Sequence, residues 1–375
     1  MKYYLIAGER SGDMHGANLM KALRQQDPQA EFRFLGGEAM QAVGGTLVRH
    51  YRDLAFMGIW EVLQNIKTIR KYLRECQQDV QDYRPDALIL IDYGGFNLRM
   101  ARFVKAQQLP FKVIYYISPK VWAWNTGRAR RIRQVVDKML VIFPFEVDFY
   151  QKFDYQVDFV GNPLWDAIRD FRPHPLFREK HQLDSRPIVA LLPGSRRQEV
   201  RKILRRMLSI REDFPDVQWV VAGVSNLPPE EYAPYASLSG VKVIFEDTYN
   251  LLTQAEAAVV TSGTATLETA LFQVPQVVVY QTSWLTYRIA KLLVKVKYIS
   301  LVNLVAGKEV VQELIQGDFH RQALQKALQA VRPGGARHEA ILQDYTQLAE
   351  QLGKTGASVK AATQIQNYLS RKAAQ

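Results

Sequence analysis

The stretch LLPGSRRQEV, residues 191–200, closes an apolar run that starts at Ile188 and breaks at Pro193-Gly194-Ser195 before two arginines and a helical pattern. A run apolar on both faces reads as a strand buried in a parallel sheet. Gly194 allows a tight backbone turn at its end, and Ser195 is a residue type that caps helices. The next amides would point outward with the positive end of a helix dipole. Arg196 and Arg197 add guanidinium donors whose geometry suits phosphate. The segment therefore predicts strand, anion-ready turn, helix. An ordinary capped helix with a solvated arginine pair carries the same signature.

The pattern recurs outward in both directions along the 375-residue chain. In the first half, strands are expected at 3–7, 32–35, 87–91, 112–116, 138–142 and 157–160, with helical patterns such as 14–26 and 98–108 between them. A charged, Pro-containing stretch, 172–186, reads as a linker. Strands resume at 188–192, 219–222, 242–245, 258–261 and 276–280. This alternation predicts an α/β chain of two Rossmann-like doubly wound domains, near 1–170 and 186–345, facing across a cleft. The tail is helical, and a helix near 355–375 is expected to pack back on the first domain or on a partner subunit.

Composition narrows the class of protein. Hydrophobic residues at 47% and charged residues at 23% argue for folded domains and against disorder. The single cysteine, Cys76, excludes an internal disulfide and a cysteine-based zinc cluster. The six histidines show no HExxH-type spacing, so neither metal nor cofactor is expected. The N-terminus enters a strand and a glycine turn where a signal peptide would have its apolar core, and charges break every long apolar run. A cytosolic protein, or one on a membrane face, is expected. The net charge of +12 favours an anionic partner: phosphate, lipid headgroup or nucleic acid.

Three further segments carry chemistry. VVTSGTATLETA, residues 259–270, runs from a strand into Ser262-Gly263-Thr264 and opens a helix bearing Glu268, a carboxylate placed for ribose hydroxyls. AGERSGDMHG, residues 7–16, has Gly8 and Gly12 for close approach, Ser11 as a candidate cap, and Glu9, Asp13 and His15 as ionisable groups; Asp13, near a helix start, better suits the helix dipole than chemistry. LILIDYGGFN, residues 88–97, ends the most apolar strand at Asp92, a general base if burial raises its pKa, or else a cap for the next helix.

Two segments bear on partners. Trp122 and Trp124 precede a basic helix start, but no RNP, KH or zinc-finger pattern accompanies them, so nucleic acid is not expected as a partner. In residues 54–75, Phe56, Ile59, Trp60, Leu63, Ile66, Ile69 and Leu73 follow helical spacing, with Lys67, Arg70, Lys71 and Arg74 between them. Such an element, with Met57 beside it, suits a membrane interface; a core-facing helix has the same spacing.

Eight motifs in order, GERSGD, IDYGGFN, YYISPKVWAW, FPFE, GNPLWD, LPGSRRQEV, SGTATLE and YISLVNLVAGKEVVQELIQ, resemble the lipid-A-disaccharide synthases from Tyr4 to about Gln316. The resemblance implies the GT-B arrangement and transfer of 2,3-diacylglucosamine from UDP-diacylglucosamine to diacylglucosamine 1-phosphate, with inversion and release of UDP. It implies a peripheral enzyme against lipids of the inner face of the cytoplasmic membrane; the tail, read on its own, is the candidate contact of a homodimer. The implied donor site is Gly194, Ser195 and Arg196 for diphosphate, Ser262, Gly263, Thr264 and Ala265 for further phosphate contact, Glu268 for ribose, and Gly223 and Asn303 along its wall. Phe56, Met57, Ile59, Trp60 and Leu63 would contact acyl chains. Glu9 and Asp92 would face the acceptor. Many relatives read D-x-P-D-F-N, with a second carboxylate where this chain has Gly95, so Asp92 is the expected base and Glu9 positions the acceptor hydroxyl. A UDP-sugar 2-epimerase of the same fold and a basic RNA-binding or membrane-adaptor protein are the rival readings.

Overall fold

The computed structural model describes residues 1–54, 66–124, 126–284, 287–288, 291, 296–353 and 355–373. The chain divides into two compact units, Met1–Asp166 with Gly353–Gln375, and Ala167–Leu352.

In the first unit, β1 (Lys2–Ala7), β2 (Glu31–Gly36), β3 (Thr46–His50), β4 (Ala87–Ile91), β5 (Lys112–Tyr116), β6 (Lys138–Val141) and β7 (Asp158–Phe159) form one sheet in the order β3-β2-β1-β4-β5-β6-β7. Every pairing is parallel. In the second, β8 (Ile188–Leu192), β9 (Gln218–Gly223), β10 (Val241–Phe245), β11 (Ala255–Thr261), β12 (Gln276–Tyr280) and β13 (Glu313–Ile315) pair in parallel as β10-β9-β8-β11-β12-β13. Strands such as ALILI (β4) and IVALL (β8) are buried along their whole length, because helices cover both faces.

Two edge strands, β3 and β13, escape the sequence pattern. TLVRH is only half-buried and ELI is three residues long, so neither shows the continuous apolar run of a central strand. The helices expected at 14–26 and 98–108 begin earlier than the pattern suggests, at Arg10 and at Gly94, because glycines that read as turn residues form their opening turns. A Cβ on Gly12 would lie 3.3 Å from Ala7 Cβ, and one on Gly16 2.7 Å from Met40 Sδ. Those glycines set the helix close against the sheet. The stretch 172–186 contains a short helix, Phe177–Lys180, with Phe177 buried, and Arg178 donates to the carbonyls of Asp184 and Arg186. It belongs to the second unit, and the boundary lies ahead of it.

The chain re-enters its first unit at Gly353. Helix Ala357–Ala373 packs along helix Arg10–Gln26, with Gln26 Nε2 donating to Thr363 Oγ1 at 2.9 Å. Asp166 accepts the Gly356 and Ser358 amides at 2.5 and 3.5 Å.

In each sheet the first strand lies beside the fourth, so the connections diverge there and leave a crevice at the carboxyl ends. In the first unit that point is formed by the residues after Ala7 and Ile91, in the second by those after Leu192 and Thr261.

Candidate active site

At the first switch point Gly8 is required by the ring of Tyr93, since a Cβ there would lie 2.2 Å from it. Glu9 follows in extended backbone as the N-cap residue of helix Arg10–Gln26. Ser11 does not cap that helix; it lies within the first turn. Asp13 is buried and accepts the amides of Gly37, Ala39 and Met40 at 2.6, 2.9 and 3.2 Å, so its task is to hold the start of helix Glu38–Val43. Burial pushes the His15 imidazole down to about 4, leaving it neutral at physiological pH.

Asp92 directly follows β4, at the strand end that borders this crevice. Burial raises its carboxyl to about 6, helped by the charge of Glu9 and opposed by Lys120 and the Tyr93 N–H. It caps nothing by side chain: Tyr93 is the N-cap residue of helix Gly94–Ala106, without a side-chain cap among the described residues. The Asp92 carbonyl accepts from Asn97 Nδ2 at 2.9 Å and from the Tyr115 hydroxyl at 2.5 Å. A carboxylate whose pKa lies just below neutrality can take a proton from a hydroxyl and release it again. Gly95 is exposed, and a Cβ there would meet nothing within 4 Å.

At the second switch point Gly194 adopts φ +100°, and a Cβ would lie 2.4 Å from Glu199 Oε2. Ser195 is not the cap. Arg196 holds the N-cap position, and the helix opens at Arg197 and continues as a π-helical turn, Val200–Leu204. The Ser195 and Arg196 amides both donate to Glu199 Oε2 at 3.2 Å, and the Arg196 guanidinium stands 3.6 Å from Glu199 Oε1. An intramolecular carboxylate thus sits where these donors converge. Arg197 does not join them; it pairs with Glu231 at 3.0 Å beside Arg201.

The neighbouring turn divides its labour. Ser262 donates its hydroxyl to the Ile299 carbonyl at 2.8 Å and so ties down the 299–300 segment instead of facing outward. Gly263 is the N-cap residue of helix Thr264–Leu271, uncapped by any side chain among the described residues, with Thr264 exposed at its first position and Ala265 next to it. Glu268, farther along, accepts the Tyr249 hydroxyl at 3.0 Å, and burial raises its carboxyl.

Two expected wall residues have other tasks. Asn303 is fully buried; its Nδ2 donates to the Val311 carbonyl and Glu313 Oε1, and its Oδ1 accepts the amides of Val310 and Val311. All four hydrogen-bonding capacities are used, so it shapes the 300–313 segment and has none left for a ligand. Gly223 ends β9 where a Cβ would lie 2.7 Å from the Phe245 ring. Phe56, Met57, Ile59, Trp60 and Leu63 lie outside the described residues.

The model of the family described as lipid-A-disaccharide synthetase matches residues 3–368. The chain belongs to the lipid-A-disaccharide synthase family. It is 38% identical to the lipid-A-disaccharide synthase of Myxococcus xanthus over 97% of each chain, and 38% identical to that of Geobacter sulfurreducens over 98% of this chain and 97% of the relative. A lipid-A-disaccharide synthase is a glycosyltransferase of lipid A biosynthesis, and the fold agrees. The chain superposes on the MnaA–UDP co-structure from S. aureus with a TM-score of 0.68 at 14% identity, covering 98% and 97% of the two chains. It matches the glycotransferase of kitacinnamycin with a TM-score of 0.64 at 14% identity, covering 98% of each. These likenesses place the two parallel-sheet units in the GT-B class.

Glu199 and Glu146 are the residues that inspection of this synthase sequence passes over. Glu199 is detectable as an acidic residue three positions after the N-cap, the spacing of a capping box. Glu146, in FPFE, is buried, and its carboxyl is raised by burial to about 7.

Proposed function

We propose that this chain transfers 2,3-diacylglucosamine from UDP-diacylglucosamine to the 6-hydroxyl of diacylglucosamine 1-phosphate, with inversion at the anomeric carbon. Acceptor recognition falls to the first unit and donor recognition to the second. The observation that supports this most directly is the convergence of the Ser195 and Arg196 amides and the Arg196 guanidinium on a single anion, at the switch point of the second sheet. The co-structures of similar fold that carry UDP or UDP-GlcNAc support a UDP-linked donor.

In the reaction the acceptor oxygen bonds to the anomeric carbon as the bond from that carbon to the β-phosphate oxygen breaks. Asp92 accepts the hydroxyl proton, and Glu9, the N-cap residue beside it, orients the hydroxyl. Negative charge grows on the departing diphosphate, where Arg196 and the turn amides, with Thr264 and Ala265 at the second helix start, hold it more strongly than in the ground state. Glu268 takes the ribose hydroxyls. No helix among the described residues is long and apolar enough to cross a membrane. The enzyme meets its acylated substrates as a peripheral protein on the inner face of the cytoplasmic membrane, through the 56–63 segment and the basic helix after it.

A transfer assay with radiolabelled donor and defined acceptor tests this, run with and without EDTA. Disaccharide phosphate and UDP should form in equal amounts, with turnover unaffected by chelation. A 2-epimerised UDP-sugar as sole product would replace the reading with the rival one.

A further inference from the structure

Among the described residues, the carboxyl edge of the first sheet carries three adjacent strand-end residues with positive φ that are not glycine: Asp92 at +44°, Tyr93 at +43° and Ile117 at +66°. A β-branched residue there is strained, at about 1–3 kcal/mol, and persists only where its surroundings hold it. They do so here. The Asp92 amide donates to the Tyr116 and Ile117 carbonyls at 3.3 and 3.2 Å, and the Ile117 amide donates to the Leu140 carbonyl at 3.0 Å.

The loop that follows Ile117 is clamped from below by two motifs the transfer reaction has not used. The Ser118 and Tyr150 hydroxyls are hydrogen-bonded at 2.7 Å. Glu146 accepts Trp122 Nε1 at 3.1 Å on one oxygen and the Ile142 and Phe143 amides at 3.2 and 3.1 Å on the other. The loop also rests against the start of the preceding helix, Gly94–Ala106, where a Cβ on Gly94 would lie 2.8 Å from Pro119 Cβ. Pro119 immediately precedes Lys120, the loop's single charged side chain, which is exposed and forms no salt bridge among the described residues.

We propose that Lys120 is a positioning residue for the transfer reaction: the clamped turn, joined to Asp92 through the Ile117 carbonyl and held against Gly94, carries a cation beside the carboxylate that receives the acceptor proton. The proposal rests on the reading of Asp92 as base. The groups that act on the Asp92 carboxyl are Lys120 from the loop after β5, Glu9 from the loop after β1, and the neighbouring Tyr93 N–H. The Tyr115 hydroxyl, from β5, bonds the Asp92 carbonyl instead. Lys120 is the one cation in this set, and its effect opposes burial and the charge of Glu9. Removing it leaves both of those acting on the carboxylate, so the pH needed to ionise Asp92 rises.

The test is the pH profile of kcat/KM for wild type, Lys120→Met, Lys120→Arg and Asp92→Asn. In Lys120→Met the acid limb should move up by about half a unit or more, so that the loss is several-fold larger at pH 6 than at pH 8. Lys120→Arg should restore the wild-type limb. Because Lys120 is exposed, neither change removes a core contact. If Asp92→Asn is inactive but the Lys120→Met limb does not move, or activity falls equally at every pH, the role of Lys120 is overturned while Asp92 stands. If Asp92→Asn keeps its activity, the reading beneath the proposal fails.

Discussion

Glu199 accepts the backbone N–H of Arg196 at 3.2 Å and stands 3.6 Å from the guanidinium of the same residue. A carboxylate therefore already occupies the donors that the transfer reaction would turn toward a diphosphate. An incoming phosphate must displace it or share its partners with a like charge.

That relationship yields a pair of opposite outcomes. Arg196→Ala removes a donor to the leaving group and should lower kcat roughly a hundredfold or more. Glu199→Gln removes the competing charge and should tighten UDP binding about fivefold, equivalent to about 1 kcal/mol. Calorimetric titration with UDP measures the second effect and steady-state transfer the first. Weaker UDP binding by Glu199→Gln would mean that the carboxylate organises the site instead of competing for it.

Asp92 should show function held at a cost in stability. Burial raises its carboxyl in the folded protein to about 6, above the ordinary aspartate value of 3.8. The protonated form is thus favoured by folding. The corresponding stability is complete below pH 3.8 and is lost as pH rises through 6, where the buried group must carry charge. Asp92→Asn should therefore stabilise the protein by up to about 3 kcal/mol at pH 8. The gain should fade as pH drops toward 4, while transfer activity is lost. Thermal denaturation at pH 4, 6 and 8 reads the pattern, and a destabilised variant at pH 8 would contradict it.

The central strands were legible because burial on both faces leaves a continuous apolar run. The expected 87–91, 112–116, 188–192 and 276–280 coincide with β4, β5, β8 and β12. The edge strands β3 and β13 have no such constraint and left no such trace. Glycine turns at strand ends located both switch points for the same reason, since Gly8 and Gly194 answer to close contacts that only glycine tolerates. What those turns hold was not legible. Ser195 and Ser262 are residue types that cap or donate locally, yet the first yields its amide to Glu199 and the second its hydroxyl to Ile299. Asn303 is expected in the donor site only from the family motif it matches, and nothing in its own segment announces that Val310, Val311 and Glu313 consume its amide.

Asp13 supplies a test of structure without chemistry. Three backbone amides from 24 to 27 residues away converge on its buried carboxylate. Asp13→Ala strands those donors, at a cost of about 3 kcal/mol or more. Asp13→Asn should recover only part of this, because an amide presents an N–H where one oxygen now accepts. Urea denaturation would show the order wild type, Asn, Ala. Equal stability of wild type and Ala would show that Asp13 does not hold the fold.

The basic helix offers the last test, at the membrane. In helix Ile66–Tyr83 the side chains of Lys67, Arg70, Lys71 and Arg74 are all exposed, a row of cations continuing from the apolar 56–63 stretch. An apolar anchor followed by cations should bind anionic vesicles in two parts, one resistant to salt and one screened over a Debye length of about 8 Å at physiological ionic strength. Replacing Phe56, Ile59, Trp60 and Leu63 with serine should remove the salt-resistant part and shift protein from vesicle pellet to supernatant. Replacing the four cations with glutamine should remove the screened part. Both sets fall within the stretch of chain assigned to the first unit, so UDP affinity should stay at the wild-type value in both. Unchanged sedimentation of the serine variant at high salt, with UDP affinity intact, would leave 56–63 as a core-facing helix and require another route for the acylated substrates.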